Sequence, residues 1–169
     1  MMASFSRDNP DPPAEVDERA ASVHDTIVKL ALAIPQVVVQ AIAKVTGLEL
    51  DPRMIIRERN PQMQVPSFVR RARKPRVDAL WTLHLDDRIV AVVIFEVQTV
   101  KAVGKLLEWP MNATVAAVEF SAAAMVVIDA IHDDLRDWIR SHAIHPPEPF
   151  LLSSKHIDLV TSLIDARAR

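Results

Sequence analysis

Apolar residues change their spacing several times along the chain, and each spacing predicts a type of secondary structure. From His24 onward they recur every three or four residues, which predicts a helix with one side facing a core. Pro35 lies inside this pattern, where it suits the first turn of a second helix, and Gly47 suits the end of that helix. The pattern therefore predicts two consecutive helices, followed by a short strand over residues 51–56.

Two strands with different apolar patterns follow. Residues 77–85 (VDALWTLHL) alternate, so that successive side chains point to opposite faces of a sheet. Residues 89–98 (IVAVVIFEVQ) are apolar on both faces almost to their end, which is typical of a central strand covered by helices on each side. Asp86 and Asp87 lie between the two strands and suit a tight turn. The sequence therefore predicts an antiparallel hairpin.

The rest of the chain alternates between helix and strand patterns. A helix is predicted over residues 100–120, with a kink at Pro110. A buried strand, an amphipathic helix, a short strand and a closing helix are predicted over residues 123–129, 132–142, 149–153 and 157–166. This order predicts an α/β fold in which a mixed β-sheet is flanked by helices on both faces.

Length and composition limit the class of protein. The 169 residues suit one domain, predicted over residues 22–169, after a polar, proline-rich arm at residues 1–21. The absence of cysteine excludes disulfides, thiolate metal sites and cysteine catalysis. No apolar run reaches the roughly 18 residues of a membrane span, and the acidic N-terminus lacks a signal-peptide core. The sequence thus predicts a cytoplasmic protein without a membrane partner, and its net charge of −2 leaves any nucleic-acid footprint local.

The predicted hairpin brings two carboxylates together. If the hairpin is centred near Asp87, Asp78 at the start of one strand lies opposite Glu96 near the end of the next. Neighbouring carboxylates repel each other unless a cation lies between them, and hard divalent ions prefer oxygen ligands. Asp78 and Glu96, with the carbonyl of Val97 as a third oxygen, are therefore candidate ligands for Mg²⁺ or Mn²⁺. Gln98 shares a face with Glu96 and is a candidate to orient an attacking water.

This pattern resembles the PD-(D/E)XK nuclease superfamily, in which a lone Asp on one strand precedes an apolar strand that ends in Glu-x-Lys or Glu-x-Gln. HDTIVKLALAIPQVVVQAIAK at residues 24–44, RVDALWTL, and VVIFEVQTVKAVGKLLEWPMNATVAA together resemble the Rpn/YhgA-like transposase nuclease group within it. The resemblance covers residues 24–142. It implies a restriction-endonuclease-like fold and a metal-dependent endonuclease that hydrolyses DNA phosphodiesters, in recombination, mobile-element biology or defence.

Carried over by position, the resemblance makes Asp78 and Glu96 metal ligands and places Gln98 where the motif has lysine. A neutral amide cannot stabilise developing negative charge as an ammonium does. Lys101 and Lys105 are four residues apart, hence on one face of the predicted following helix, and either is a candidate to supply that charge.

Three further features each have a functional and a plain interpretation. The basic run just before Asp78 is a candidate for DNA backbone contacts, with a solvated loop equally favoured, and comprises Arg70, Arg71, Arg73, Lys74 and Arg76. Asp25 either reaches the site from the first helix or forms a helical ion pair with Lys29. His24 is interpreted as a residue that packs or caps at the start of that helix.

Two functions from different classes fit these features. The first is a metal-dependent DNA endonuclease. The second is a catalytically inactive module with a nuclease fold that binds nucleic acid or a protein partner, because one fold serves many functions. A homodimer is compatible with both functions.

Overall fold

The structure is a computed structural model, and it describes residues 18–47, 49–63, 76–142 and 150–152. These residues contain four helices and five strands. The helices are α1 (Glu18–Ala33), α2 (Pro35–Thr46), α3 (Val103–Phe120) and α4 (Asp133–His142). The strands are β1 (Ile55–Glu58), β2 (Ala79–Leu85), β3 (Arg88–Gln98), β4 (Ala123–Ala130) and β5 (Phe150–Leu152).

The five strands form one sheet whose spatial order follows the chain, from β1 to β5. β2 runs antiparallel to both β1 and β3. β3, β4 and β5 run parallel to one another. Parallel neighbours need a crossover connection, and α3 lies between β3 and β4 in the chain as α4 lies between β4 and β5. The predicted α/β class with a mixed sheet is confirmed.

Helices cover both faces of this sheet. On one face, Trp81 of β2 and Phe95 of β3 belong to an apolar cluster with Val39 of α2. On the other face, Ile94 of β3 belongs to a second cluster with Trp109 of α3, to which α4 also contributes. This two-sided burial explains why β3 is apolar along most of its length and confirms the predicted flanking of the sheet.

The β2–β3 hairpin has the register that its apolar pattern predicts. Ala79, the first residue of β2, pairs with Phe95, and Asp78 and Glu96 are the next residues beyond that pair. The turn is formed by two residues, and the first of them, Asp86, has a φ of 54° in the left-handed region that Asp tolerates. An irregularity between Leu83 and His84 shifts the register by one residue, so that His84 pairs with Ile89 but Leu83 pairs with Ala91.

Two elements begin elsewhere than predicted. α1 starts at Glu18, inside the segment predicted to be a loose arm, since residues 18–21 (ERAA) favour helix although they lack apolar spacing. β1 starts at Ile55, because Asp51 accepts a hydrogen bond from the backbone N–H of Arg53 at 2.8 Å and forms a turn there.

The remaining predictions concern the helix over residues 100–120, the two ends of the chain and membrane spans. α3 begins at Val103 and runs on through Pro110. The predicted closing helix at residues 157–166 and residues 1–17 of the predicted arm lie outside the described residues. Among the described residues, no single helix is long and apolar enough to cross a membrane; α1 and α2 meet that criterion only as a pair, and the pair is bent by 97°.

Candidate active site

Glu96 is a buried carboxylate near the end of β3. Its position in the strand sets it on the face covered by α3, where it is 2% exposed. Oε2 accepts a hydrogen bond from Nζ of Lys105 at 3.4 Å, whereas Oε1 is buried without a partner in the described part of the chain. Burial raises the pKa of Glu96 to about 7, with Lys105 opposing the rise and Asp78 adding to it. Glu96 therefore exchanges its proton near neutral pH.

Asp78 is hydrogen-bonded to the backbone of Val97, and its negative charge helps to raise the pKa of Glu96. The backbone N–H of Val97 donates to Oδ2 of Asp78 at 2.8 Å, and Nε2 of His24 lies 3.1 Å from the same oxygen. The N–H and C=O of one strand residue face the same neighbouring strand, so the carbonyl of Val97 also faces the side of Asp78. The structure thus brings the three predicted metal ligands to one end of the hairpin.

Gln98 lies on the same face as Glu96 and is also buried. Its Nε2 donates a hydrogen bond to the carbonyl of Val100 at 2.6 Å, which closes the turn between β3 and α3. One donor of the amide is therefore structural, and Oε1 is the atom through which Gln98 can accept a hydrogen bond from a water.

The two candidate lysines have different partners. Lys105 lies 3.4 Å from Glu96; burial opposes its charge, but Glu96 and Glu108 outweigh burial and raise the pKa of Lys105. Lys101 instead forms an ion pair with Asp134 of α4 at 3.3 Å. Because α3 begins only at residue 103, the two lysines do not share a helical face, and the structure brings only Lys105 to Glu96.

His24 takes a role that its sequence position did not predict. It lies inside α1, not at its start, and contacts Asp78, which is 54 positions away along the chain. Its Nδ1 lies 3.3 Å from Oδ1 of Asp25, whose side chain is exposed, so Asp25 connects to Asp78 through the imidazole. The prediction that His24 lies at the start of the helix is wrong, because α1 begins six residues earlier, at Glu18.

Asp129 is a second buried carboxylate, which the sequence prediction missed. It lies near the end of β4, paired with Val97, and it is 1% exposed. Burial raises the pKa of Asp129 to about 6 although Arg136 of α4 opposes the rise, and Oδ1 has no partner among the described residues. Val127, two residues earlier, faces α2, so Asp129 is on the opposite face from Glu96. The available signal was an apolar strand, AAMVVID, that ends on a carboxylate.

Most of the basic run before Asp78 falls outside the described residues, namely Arg70, Arg71, Arg73 and Lys74. Arg76 is described, and it is exposed. Its backbone pairs with Gln62, which brings together the two ends of the segment that contains the basic run. The end of this run therefore lies two residues from Asp78 along the chain, beside the candidate site.

The candidate ligands form a small set. Across residues 18–47, 49–63, 76–142 and 150–152, no group of three or more His, Asp or Glu residues is placed to hold a metal ion. Asp78 and Glu96 are two carboxylates, which is the number that a Mg²⁺ ion commonly uses together with water and substrate oxygens.

No protein-family model matches this chain, and neither curated proteins nor solved structures give a match.

Proposed function

We propose that this protein is a metal-dependent nuclease of the PD-(D/E)XK type that hydrolyses DNA phosphodiesters. The observation that supports this most is that Asp78 and Glu96 lie directly beyond the Ala79–Phe95 pair, with the Glu96 carboxylate buried and one of its oxygens unpartnered within the described ranges. A buried carboxylate oxygen that lacks a partner costs free energy, and proteins tolerate such a cost mainly at functional sites.

The residues at this site fit Mg²⁺ or Mn²⁺. Asp78 and Glu96 would supply carboxylate oxygens, and the carbonyl of Val97 a third oxygen. The unpartnered Oε1 of Glu96 is the atom that such a cation would satisfy. When bound, the ion would lower the pKa of a water molecule and offset charge on the phosphodiester.

The surrounding side chains have complementary roles in this proposal. Gln98 orients the attacking water through Oε1. Lys105 donates to a phosphate oxygen and supplies the positive charge that Gln98 lacks. His24 holds the carboxylate of Asp78 in place. Arg76 and the basic residues before it contact the DNA backbone, which positions the duplex without reading its sequence.

Nicking of supercoiled plasmid DNA by the purified chain tests this proposal. We expect nicking that requires Mg²⁺, that EDTA abolishes, and that Glu96→Gln slows at least about a hundredfold, the range of a lost group that acts directly in catalysis. Glu119→Gln is the matched control, because it removes the same charge near the other end of α3 and should nick at the wild-type rate. Unchanged nicking by Glu96→Gln would exclude a catalytic role for this site.

A catalytically inactive nucleic-acid-binding module is the second candidate function. It is favoured by Gln98, which is neutral and donates to the backbone of Val100. Binding of DNA that weakens steeply with salt, without nicking in Mg²⁺ or Mn²⁺, would support this alternative. Sedimentation of the same samples would show whether the protein forms a homodimer.

A further inference from the structure

The ammonium of Lys105 lies between two carboxylates. Its Nζ is 3.4 Å from Oε2 of Glu96 and also 3.4 Å from Oε2 of Glu108. The side chain of Glu96 is 3% exposed, whereas that of Glu108, three residues after Lys105 on α3, is 51% exposed. A flexible lysine side chain can therefore stay paired with Glu108 when its contact with buried Glu96 is lost.

We propose that Glu108 is a positioning residue that retains Lys105 when a divalent cation displaces its ammonium from Glu96. This inference rests on the proposed metal-dependent function. The ammonium and the cation are both positive, so they compete for the same buried carboxylate. Glu108 offers a second carboxylate at the same distance, so that Lys105 keeps an ion pair as it leaves Glu96.

This exchange links cation binding to the availability of a phosphate donor. A shift from Glu96 toward Glu108 carries the ammonium away from a buried carboxylate and toward one that is half exposed to solvent. Substrate arrives from solvent, so the displaced ammonium is on the side where a phosphate oxygen can reach it. Glu108 thereby favours cation binding and presents Lys105 in the same movement.

Calorimetric titration of the full chain with Mg²⁺ alone, without DNA, tests the exchange. We expect Glu108→Gln to weaken Mg²⁺ binding about two- to fivefold, the range of a partly exposed ion pair. Lys105→Met should tighten binding, because it removes the competing ammonium and keeps the aliphatic stem. The double variant should bind as Lys105→Met does, because Glu108 acts through Lys105.

Glu108→Asp separates positioning from simple attraction between charges. It retains the negative charge but shortens the reach to Lys105, so we expect it to weaken Mg²⁺ binding as Glu108→Gln does. Glu119→Gln is the control for loss of a carboxylate elsewhere on α3, and it should bind Mg²⁺ as the wild type does. Thermal unfolding of every variant in EDTA verifies that each one is folded.

Several results would overturn the inference. If Glu108→Asp binds Mg²⁺ like the wild type, or if Glu108→Gln weakens binding equally with and without Lys105, Glu108 acts by its charge alone. If the wild type does not bind Mg²⁺ at all, the proposed function fails together with the inference. Wild-type Mg²⁺ binding that Glu96→Gln abolishes but Glu108→Gln leaves unchanged removes only the inference.

Discussion

Nε2 of His24 lies 3.1 Å from Oδ2 of Asp78, and this contact connects α1 to the start of the hairpin. The same oxygen accepts the backbone N–H of Val97 at 2.8 Å. A helix early in the chain and the backbone of β3 thus hold one carboxylate from two directions. The packing of α1 and the orientation of a proposed metal ligand depend on each other as a result.

His24→Ala is expected to lower the free energy of unfolding by about 1 kcal/mol, because Asp78 loses a partly buried hydrogen-bond partner. It should also slow Mg²⁺-dependent nicking, because Asp78 is then held by Val97 alone. Urea denaturation and plasmid nicking measure the two effects. His132→Ala, at an exposed position just before α4, is the control and should change stability by less than about 0.5 kcal/mol. Wild-type values for His24→Ala in both measurements would show that the contact has no role.

Glu96→Gln is expected to stabilise the folded protein at about pH 8 while it removes activity. The pKa of Glu96 is raised from 4.5 to about 7 in the folded state by burial, so folding favours the protonated acid. The stability that this group contributes is complete below pH 4.5 and is lost as the pH rises to about 7. Gln resembles the protonated acid, so the gain should be about 2–3 kcal/mol at about pH 8 and small near pH 4.5.

Urea denaturation of wild type and Glu96→Gln at both pH values, without divalent cations, measures this difference. Glu119→Gln should show no comparable gain at the higher pH, since its side chain is exposed. A gain that is larger at low pH than at high pH would contradict the environment assigned to Glu96.

Asp129→Asn is expected to stabilise the protein at neutral pH for a related reason. Burial raises the pKa of Asp129 from 3.8 to about 6, against the opposing effect of Arg136. Its contribution to stability is complete below pH 3.8 and is lost as the pH rises to about 6. We expect a gain of about 2–3 kcal/mol at about pH 7.5, measured by urea denaturation. Destabilisation at that pH would mean that the electrostatic attraction of Arg136 for Asp129 outweighs burial.

Substitution of the two lysines should separate their roles. Lys105→Gln is expected to slow nicking about tenfold or more, because the site loses its positive charge. Lys101→Gln should remain within about threefold of the wild type, because Lys101 forms a half-exposed ion pair with Asp134 that contributes little. Nicking rates at saturating Mg²⁺ measure both variants. A larger loss for Lys101→Gln than for Lys105→Gln would contradict the assignment of Lys105 to the site.

Local pattern was sufficient to predict that Asp78 and Glu96 lie at the same end of the hairpin. Both residues lie at the open end of one hairpin, where a period of two sets the face, and the turn at Asp86 and Asp87 together with the irregularity at Leu83 and His84 sets the register. The α/β class was predictable for the same reason, since each strand and most helices have their own apolar spacing. The boundaries that differed, at Glu18 and at Ile55, lie where that spacing is absent or where a side chain bonds to a nearby backbone group.

The sequence by itself determined the hairpin, the shared face of Glu96 and Gln98, and the two-sided burial of β3, because these follow from contacts between residues that are close in the chain. Only the tertiary structure decided that His24 contacts Asp78, that Lys105 and not Lys101 reaches Glu96, and that Asp129 is buried. These features depend on how helices pack across the sheet. Such packing joins distant residues through the total burial of apolar surface, which no local spacing encodes.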